Sequence, residues 1–425
     1  MADNTKKELR NMVMYSVFVR QYSVEGTFRK VMEDLDRIEG LGVDIIWLMP
    51  IHPVGEACRK GSLGSPYAVR DYRAVNPEFG TMEDFTALTD AVHRRGMKCI
   101  IDVVYNHTSP DSVLAKTHPE WFYHRPDGSF GNRIGDWTDI IDLDYSKSAL
   151  WDYQIDTLKM WAEYVDGFRC DVAPLVPLDF WLRARRETAE IRPNCLWLAE
   201  SVEPAFIEEN RERGIPCLSD GEIFRAFDVS YDYDVYWDYA DYLAGRAGLS
   251  RWAESVNRQE GMYPDNYVKL RFLENHDRPR AASLIPDGRA LRNWTAFTYF
   301  QKGMTLIYNG QERSAAARPS LFDRDAVDWG GADLSGLMRR LYEIKKDPLF
   351  ADSTYRVSDA GSGVLIAEHR RGGRRMVGVF SVEGEEAEVC APLKDGNYVN
   401  LIDGGAVRVS GGRISAGEPI IVSAD

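Results

Sequence analysis

The sequence predicts an α/β fold, a parallel barrel of eight strand–helix units with a long loop after the third strand and a small antiparallel β domain at the end. Three observations carry this. Short apolar runs alternate with longer amphipathic ones eight times between residues 14 and 349, the signature of parallel strands joined by crossover helices. No GxGxxG follows the first strand-like run, as an open doubly wound sheet holding a dinucleotide would require. Beyond residue 350 the helical period stops and short β-like runs alternate with Gly-rich turns.

In order, residues 14–19 are expected as the first strand and 27–39 as the helix behind it. The second unit is 44–49 and 81–95, its helix opened by Thr81 with Asp84 three residues on, a capping pattern. The third strand is 99–105, and its helix, 149–164, comes only after a loop of about forty residues rich in Pro, Asp, Gly, Trp and Tyr. Units four to eight are 165–170 with 175–190, 196–199 with 203–213, 226–230 with 249–257, 268–273 with 290–302, and 304–308 with 334–345. The sixth is the weakest. Residues 1–107 and 149–349 are thus assigned to the barrel, 108–148 to the insertion and 350–425 to the terminal β domain. A loop of that length after a barrel strand projects over the C-terminal face, where barrel active sites lie.

Composition narrows the function. Hydrophobic residues make up 44% of 425, enough for a large core. The formal charge of −14 disfavours nucleic acid and anionic membrane as partners and suits a neutral substrate. Six scattered cysteines without CxxC spacing fit free thiols in a reducing compartment. The polar start of the chain does not resemble a signal peptide, and no run of about 18 apolar residues suggests a span. Cytoplasmic location is the resulting expectation.

The ends of the expected strands are polar. Strand three runs into Asp102, Asn106 and His107; strand four carries Arg169 and ends at Asp171; strand five ends at Glu200; strand seven at Glu274, Asn275, His276 and Asp277. Three carboxylates from three strands, with Arg169 as the one cation among them, read as acid–base or covalent chemistry rather than a structural ion pair. Retaining glycoside hydrolysis needs one ionised and one protonated carboxyl about 5–5.5 Å apart. Arg169 favours an ionised Asp171, while apolar neighbours favour a protonated Glu200. Asp277 can stabilise developing positive charge, and His107 and His276 can bind hydroxyls. An arginine inside the cluster argues against a metal centre, and no GxSxG elbow supports a serine hydrolase.

Four segments, DVVYNH (102–107), GFRCDVA (167–173), WLAES (197–201) and FLENHD (272–277), resemble the four signature regions of the α-amylase family, glycoside hydrolase family 13, in the family's order. SPYAVRDYRAVNPEFGT (65–81) and GMTLIYNGQE (303–312) support the resemblance. It implies a (β/α)8 TIM barrel, a short domain B after strand three and a C-terminal antiparallel β-sandwich. It implies Asp171 as nucleophile, Glu200 as acid/base and Asp277 as transition-state stabiliser. Tyr67, His107, Arg169 and His276 become substrate-binding residues, Tyr67 stacking under the sugar and Asp102 supporting the site. The implied substrate is an α-glucan or maltooligosaccharide, cleaved mainly at α-1,4 bonds. A transglycosylase or isomerase using the same nucleophile is the alternative, and an α-1,6-glucosidase the lesser one. A silent sugar-binding barrel would typically lack part of the triad, which is complete here.

Departures from the family pattern matter too. Ala68 replaces an aspartate that grips a terminal glucose in exo-acting members, and Val172 follows the nucleophile as in members tolerating α-1,6 bonds. The Lys-His pair of calcium-binding members is replaced by Pro174, Leu175 and Val176. Asn106 and Asp142 match other calcium ligands, but two oxygens fall short of the six to eight calcium takes. No cofactor, and no calcium at the usual place, is therefore expected. Trp121, Phe122, Tyr123 and Trp137 are candidates for lining sugar subsites, at least half of them expected in the domain B core. Oligomeric state is left open.

Overall fold

Runs of aliphatic and β-branched residues, apolar on both faces, close into a barrel in the computed structural model, which describes residues 4–135 and 137–424. Residues 1–3 of the polar start, Asp136 in the long loop and Asp425 lie outside the described residues. The barrel strands are β1 (Val13–Val17), β2 (Ile45–Leu48), β3 (Lys98–Val103), β4 (Gly167–Cys170), β5 (Leu196–Ala199), β6 (Val229–Tyr231), β7 (Lys269–Arg271) and β8 (Met304–Tyr308). Each pairs in parallel with the next, and β8 returns to β1 with Val13 opposite Thr305. This is a TIM barrel. Its register sets Asp102 of β3 beside Arg169 of β4, and Arg169 beside Leu198 of β5.

The outer helices follow the expected units with physical exceptions. The helix expected over 27–39 is two, α1 (Phe28–Glu33) and α2 (Leu35–Gly40), broken at Asp34. There the Asp34 carboxylate accepts from Tyr22 Oη and Arg37 Nε, and φ −103°, ψ 7° leaves the helical region. Thr81 and Asp84 form the expected capping box on α3 (Met82–Arg94). After α4 (Ser148–Ala162), α5 (Leu178–Thr188) begins three residues later than expected, because Pro174 sits in a single 3-10 turn (Ala173–Leu175) and Pro177 is the residue at the helix cap. A further helix, α6 (Pro204–Glu212), follows β5.

The sixth unit departs most. Its strand begins three residues later than expected and ends one later, and two helices follow it, α7 (Tyr233–Leu243) and α8 (Leu249–Met262). Helix α7 (YDVYWDYADYL) escapes a periodicity reading because its buried face is built chiefly of tyrosines, Tyr233, Tyr236 and Tyr239, rather than aliphatic residues, while its aspartates share one stripe. β7 is also shorter than expected, and two of its residues are charged and buried. Lys269 bonds Asp220 (2.6 Å) and Asp234 (2.8 Å), and Arg271 bonds Asp232 (2.8 Å). Paired this way, the charges remain tolerable in the interior. Helices α9 (Gly288–Phe300) and α10 (Ser335–Lys345) complete the wall.

Beyond the barrel, β9 (Thr354–Asp359), β10 (Val364–Arg371), β11 (Arg374–Ser381) and, last in the chain, β16 (Ile420–Ala424) form a four-stranded antiparallel sheet. The pairs β12 (Ala387–Cys390) with β15 (Arg413–Ala416) and β13 (Gly396–Val399) with β14 (Ala406–Val409) lie against it. Strand alternation divides the sheet's side chains. Leu365, Ala367 and Phe380 join the barrel core, whereas Val364, Ile366, Val377 and Val379 build a second core with β12, β14 and β15. Buried His369 ties the layers, its ring nitrogens 2.7 Å from Ser353 Oγ and from the Phe300 carbonyl on α9. No helix among the described residues is long and apolar enough to cross a membrane.

Gly167 starts β4 where it touches β5 closely: a Cβ there would stand 2.3 Å from the Leu196 carbonyl oxygen and 2.8 Å from its Cβ. Backbone cannot yield as a flexible side chain can. Gly167→Ala is expected to cost about 1–3 kcal/mol, read as a lower denaturation midpoint at unchanged slope.

Candidate active site

Parallel strands all expose their C-terminal ends on one face, so side chains at β3, β4, β5 and β7 termini converge without any long-range coincidence. The centre of that convergence is Arg169, fully buried on β4. Its Nη1 donates to Asp171 Oδ1 (2.8 Å) and to Asp102 Oδ1 (3.0 Å), and its Nε to Tyr231 Oη on β6 (3.3 Å). Nη2 stands 2.9 Å from Glu200 Oε1, close enough for an ion pair but off line for a hydrogen bond. The rings of Trp47, Tyr231 and Tyr67 surround the guanidinium at 5.2, 5.4 and 5.6 Å.

Glu200 has a second partner. Val172, just past Asp171, adopts left-handed backbone (φ 34°, ψ 47°), a conformation that costs a β-branched residue free energy. Its N–H thereby donates to Glu200 Oε2 at 2.8 Å. Asp277 is placed by its own neighbours. Asn275 Oδ1 accepts from the Asp277 and Arg278 amides (2.9 and 3.0 Å), and Asn275 Nδ2 donates to Tyr233 Oη (2.9 Å). His276 Nε2 lies 3.1 Å from Asp277 Oδ2 and 2.7 Å from Tyr67 Oη, whose ring stacks on it at 5.4 Å and 17°. Tyr67 Oη also donates to Asp102 Oδ2 (3.2 Å), and His107 Nε2 stands 4.0 Å from Asp171 Oδ2.

Electrostatics separates the carboxyls. Burial pushes Glu200 up to about 8, against Arg169 and with help from Asp171 and Asp277. Burial also lifts Asp171, to about 6, although Arg169 pulls it down. Asp171 is therefore less strongly held ionised than its arginine neighbour alone implies, yet still titrates below Glu200. Asp102 rises to about 7 for the same reason. Burial at its base pushes Asp277 up too, but His276, Arg169 and Arg278 outweigh it and bring it to about 2. Burial lowers His107 to about 4, so its ring is neutral near pH 7.

Above this floor lies a pocket of about 330 Å³, lined by Asp171, Glu200, Asp277, Tyr67 and His107 together with Val172, Lys60, Ser65, Trp137, Asp139, Ile140, Leu321 and Phe322. Arg169 and His276 lie beneath it rather than in its wall. A slightly larger cleft of about 370 Å³ opens at the opposite end of the barrel, where its one carboxylate, Asp228, is engaged by Arg185 (2.6 Å). It offers no acid–base pair. All seven expected site residues therefore meet at one pocket or directly under it. Of the insertion's aromatics, Trp137 lines the pocket, Trp121 and Phe122 are buried in the insertion, and Tyr123 lies under Arg133 at 4.6 Å.

Other neighbours had no sequence signal. The Lys60–Asp139 ion pair (2.8 Å) joins the loop after β2 to the insertion. Arg169 is the one cation of the buried floor, as expected, but the rim adds Arg278, paired with Glu203, and Arg318, whose Nη1 donates to the Asp277 carbonyl (2.6 Å).

Comparison with known proteins points to one family. Residues 3–125 match the family described as Alpha amylase, catalytic domain, and 356–422 match Bacterial Alpha amylase C-terminal domain. A solved α-amylase from Lactobacillus plantarum is 48% identical over 99% of this chain and 100% of its own, with a TM-score of 0.96. The chain belongs to the α-amylase family, glycoside hydrolase family 13. Among curated members, α-amylase MalA of Haloarcula japonica is 27% identical over 84% of this chain and 53% of its own length. The alpha-1,4-glucan:maltose-1-phosphate maltosyltransferase of Myxococcus xanthus is 32% identical over 46% of this chain and 33% of its own. The chain thus spans about half of the first and a third of the second.

The family's calcium question can be put to the residues that match its ligands. Asn106 and Asp142 are both buried, and Asp142 Oδ1 has no hydrogen-bond partner. Asp142 Oδ2, however, accepts from the Arg133 amide (2.7 Å), and the Arg133 guanidinium stands 3.7 Å away. Asn106 Nδ2 faces His107 Nδ1 (3.2 Å). Among the described residues no group of three or more His, Cys, Asp or Glu could hold a metal. A guanidinium beside the lone carboxylate is a poor fit for a hard cation seeking oxygens.

Arg169→Lys retains the charge but not the fork that reaches Asp102, Asp171 and Glu200 at once. Carboxyl-carbon NMR is expected to show the Asp171 titration moving upward from about 6 in that variant.

Proposed function

We propose that the chain is a retaining glycoside hydrolase that cleaves α-glucosidic bonds, mainly α-1,4, in maltodextrin-type oligosaccharides and polysaccharides through a covalent glycosyl-enzyme. The observation that carries this is the fork of Arg169, which holds Asp171 and Glu200 on adjacent nitrogens of one guanidinium. Such neighbours suit the close spacing of retaining pairs, about 5–5.5 Å, rather than the wider gap that admits a water in inverting ones.

Near pH 7 Asp171 is ionised and Glu200 protonated, which are the states the first step needs. Asp171 attacks the anomeric carbon while Glu200 gives its proton to the departing glycosidic oxygen. Glu200, now a carboxylate, takes a proton from water as that water attacks the same carbon and releases Asp171. Asp277, ionised throughout, stabilises the oxocarbenium-like charge in both transition states and accepts from sugar hydroxyls. Neutral His107 binds hydroxyls without adding charge, and the Tyr67 ring offers a stacking face. A sugar acceptor replacing water in the second step would give transfer instead, a reading favoured by the similarity to a maltosyltransferase. Products longer than the starting oligosaccharide, at high concentration, would identify it.

Three outcomes are expected. Asp171→Asn should lower turnover of maltooligosaccharides on the order of 10⁴-fold, and retained activity would overturn the proposal. The same change should raise the melting temperature at neutral pH. Its carboxyl is raised by folding, so the folded chain binds more protons than the unfolded one between the ordinary carboxyl range and about 6, and stability falls as pH rises through that window. In the wild type, kcat/KM should be bell-shaped, rising through an apparent value near 6 as Asp171 ionises and falling near 8 as Glu200 deprotonates.

We propose further that no calcium is needed at the place family members use, Arg133 serving as the cation beside Asp142. Chelator should leave the melting temperature unchanged, and a drop of several degrees would refute this.

A further inference from the structure

The chain has eleven tryptophans, all among the described residues, and Trp237 is the one that stands exposed, with 49% of its surface open. It sits in α7, the helix leaving β6 at the barrel end that carries Asp171, Glu200 and Asp277. A single exposed aromatic is ordinary on a protein surface; what singles out Trp237 is its setting.

Its setting is rigid. Arg278, the residue after Asp277, lies over the Trp237 ring at 5.0 Å and also contacts the rings of Tyr236 and Tyr233 at 4.4 and 4.6 Å. The guanidinium is anchored by Glu203, three residues beyond Glu200. Arg278 and the Tyr236 ring, 5.6 Å away and edge-on, thus hold the indole while about half of the residue's surface remains open.

Position gives the platform a direction. Tyr67, His107 and Trp137 line the pocket, whereas Trp237 lies outside that lining and is reached from Asp277 and Glu200 through Arg278 and Glu203. The inference rests on the hydrolase reading above, in which the pocket holds the sugar attacked by Asp171 and the leaving group departs on the side where Glu200 delivers its proton. We propose that Trp237, backed by Arg278 and Glu203, is a stacking platform for a glucosyl unit of the leaving portion of an α-glucan. A pyranose ring presents an apolar C–H face that covers the indole, and the indole loses little entropy because its cation clamp already fixes it. The Arg278–Glu203 pair beside it offers donors and acceptors to ring hydroxyls. The same platform would seat an acceptor glucan in a transfer reaction.

The test compares wild type, Trp237→Ala and Trp237→Phe on maltoheptaose and maltotriose. In Trp237→Ala the ratio of kcat/KM for the long substrate to that for the short one should fall roughly tenfold, chiefly through KM, and Trp237→Phe should restore most of it. A second arm reads binding alone: by calorimetry, maltoheptaose should bind the Asp171→Asn chain roughly tenfold more tightly than the Asp171→Asn/Trp237→Ala chain, with Trp237→Phe restoring most of the affinity. An unaltered ratio in Trp237→Ala, or an affinity for maltoheptaose that Trp237→Ala leaves unchanged, would overturn the platform. Failure of the wild type to cleave maltoheptaose would instead sink the hydrolase reading, and the binding arm would then judge the platform by itself.

Discussion

A buried guanidinium cannot be left unpaired, and much of the catalytic end of this barrel is arranged around that demand. Arg169 stands where β3, β4 and β5 meet, with no exposed surface. Asp102, Asp171 and Glu200 each come within 3.0 Å of it. Attraction to one cation is what brings three mutually repelling carboxyls into one small volume. Tyr67, Tyr231 and Trp47 fill the rest of its surroundings with ring faces rather than water, which preserves the low dielectric on which the separated titrations depend.

That arrangement carries a cost. Burial raises Asp102, Asp171 and Glu200 above ordinary carboxyl values, so neutral pH is where the folded state is strained by them. Val172 adds backbone strain in the left-handed region, and it does so while directing an amide at Glu200. The rest of the molecule is firm enough to hold this. The barrel core runs without a break into one face of the C-terminal sheet, and the buried charges of Lys269 and Arg271 are paired with aspartates.

How much of this was legible depended on the kind of signal. Strands of a parallel barrel are apolar on both faces, so most of the eight were visible as short runs, and the polar residues that follow them offered Asp171, Glu200 and Asp277 as candidates. Where local composition was ambiguous, the reading slipped. Helix α7 went unseen because tyrosines rather than aliphatic residues make its buried face, and α1 and α2 looked continuous because Asp34, an acceptable helix residue, leaves the helix only when Tyr22 and Arg37 claim its carboxylate. Contacts between distant loops, such as Lys60 with Asp139, leave no pattern in either segment.

By itself the sequence determined which residues could do chemistry and which end of which strand each occupies, because strand period and strand termini are local properties of the chain. Tertiary structure alone decided how those residues act on one another. The expectation from Arg169's proximity was a firmly ionised Asp171, but desolvation, a property of everything packed around the site, lifts it to about 6 and Glu200 to about 8. The Val172 amide on Glu200, the guanidinium near Asp142 and the open face of Trp237 belong to the same class. Each depends on a distance between segments far apart in sequence, and burial and distance do not exist until the chain has folded.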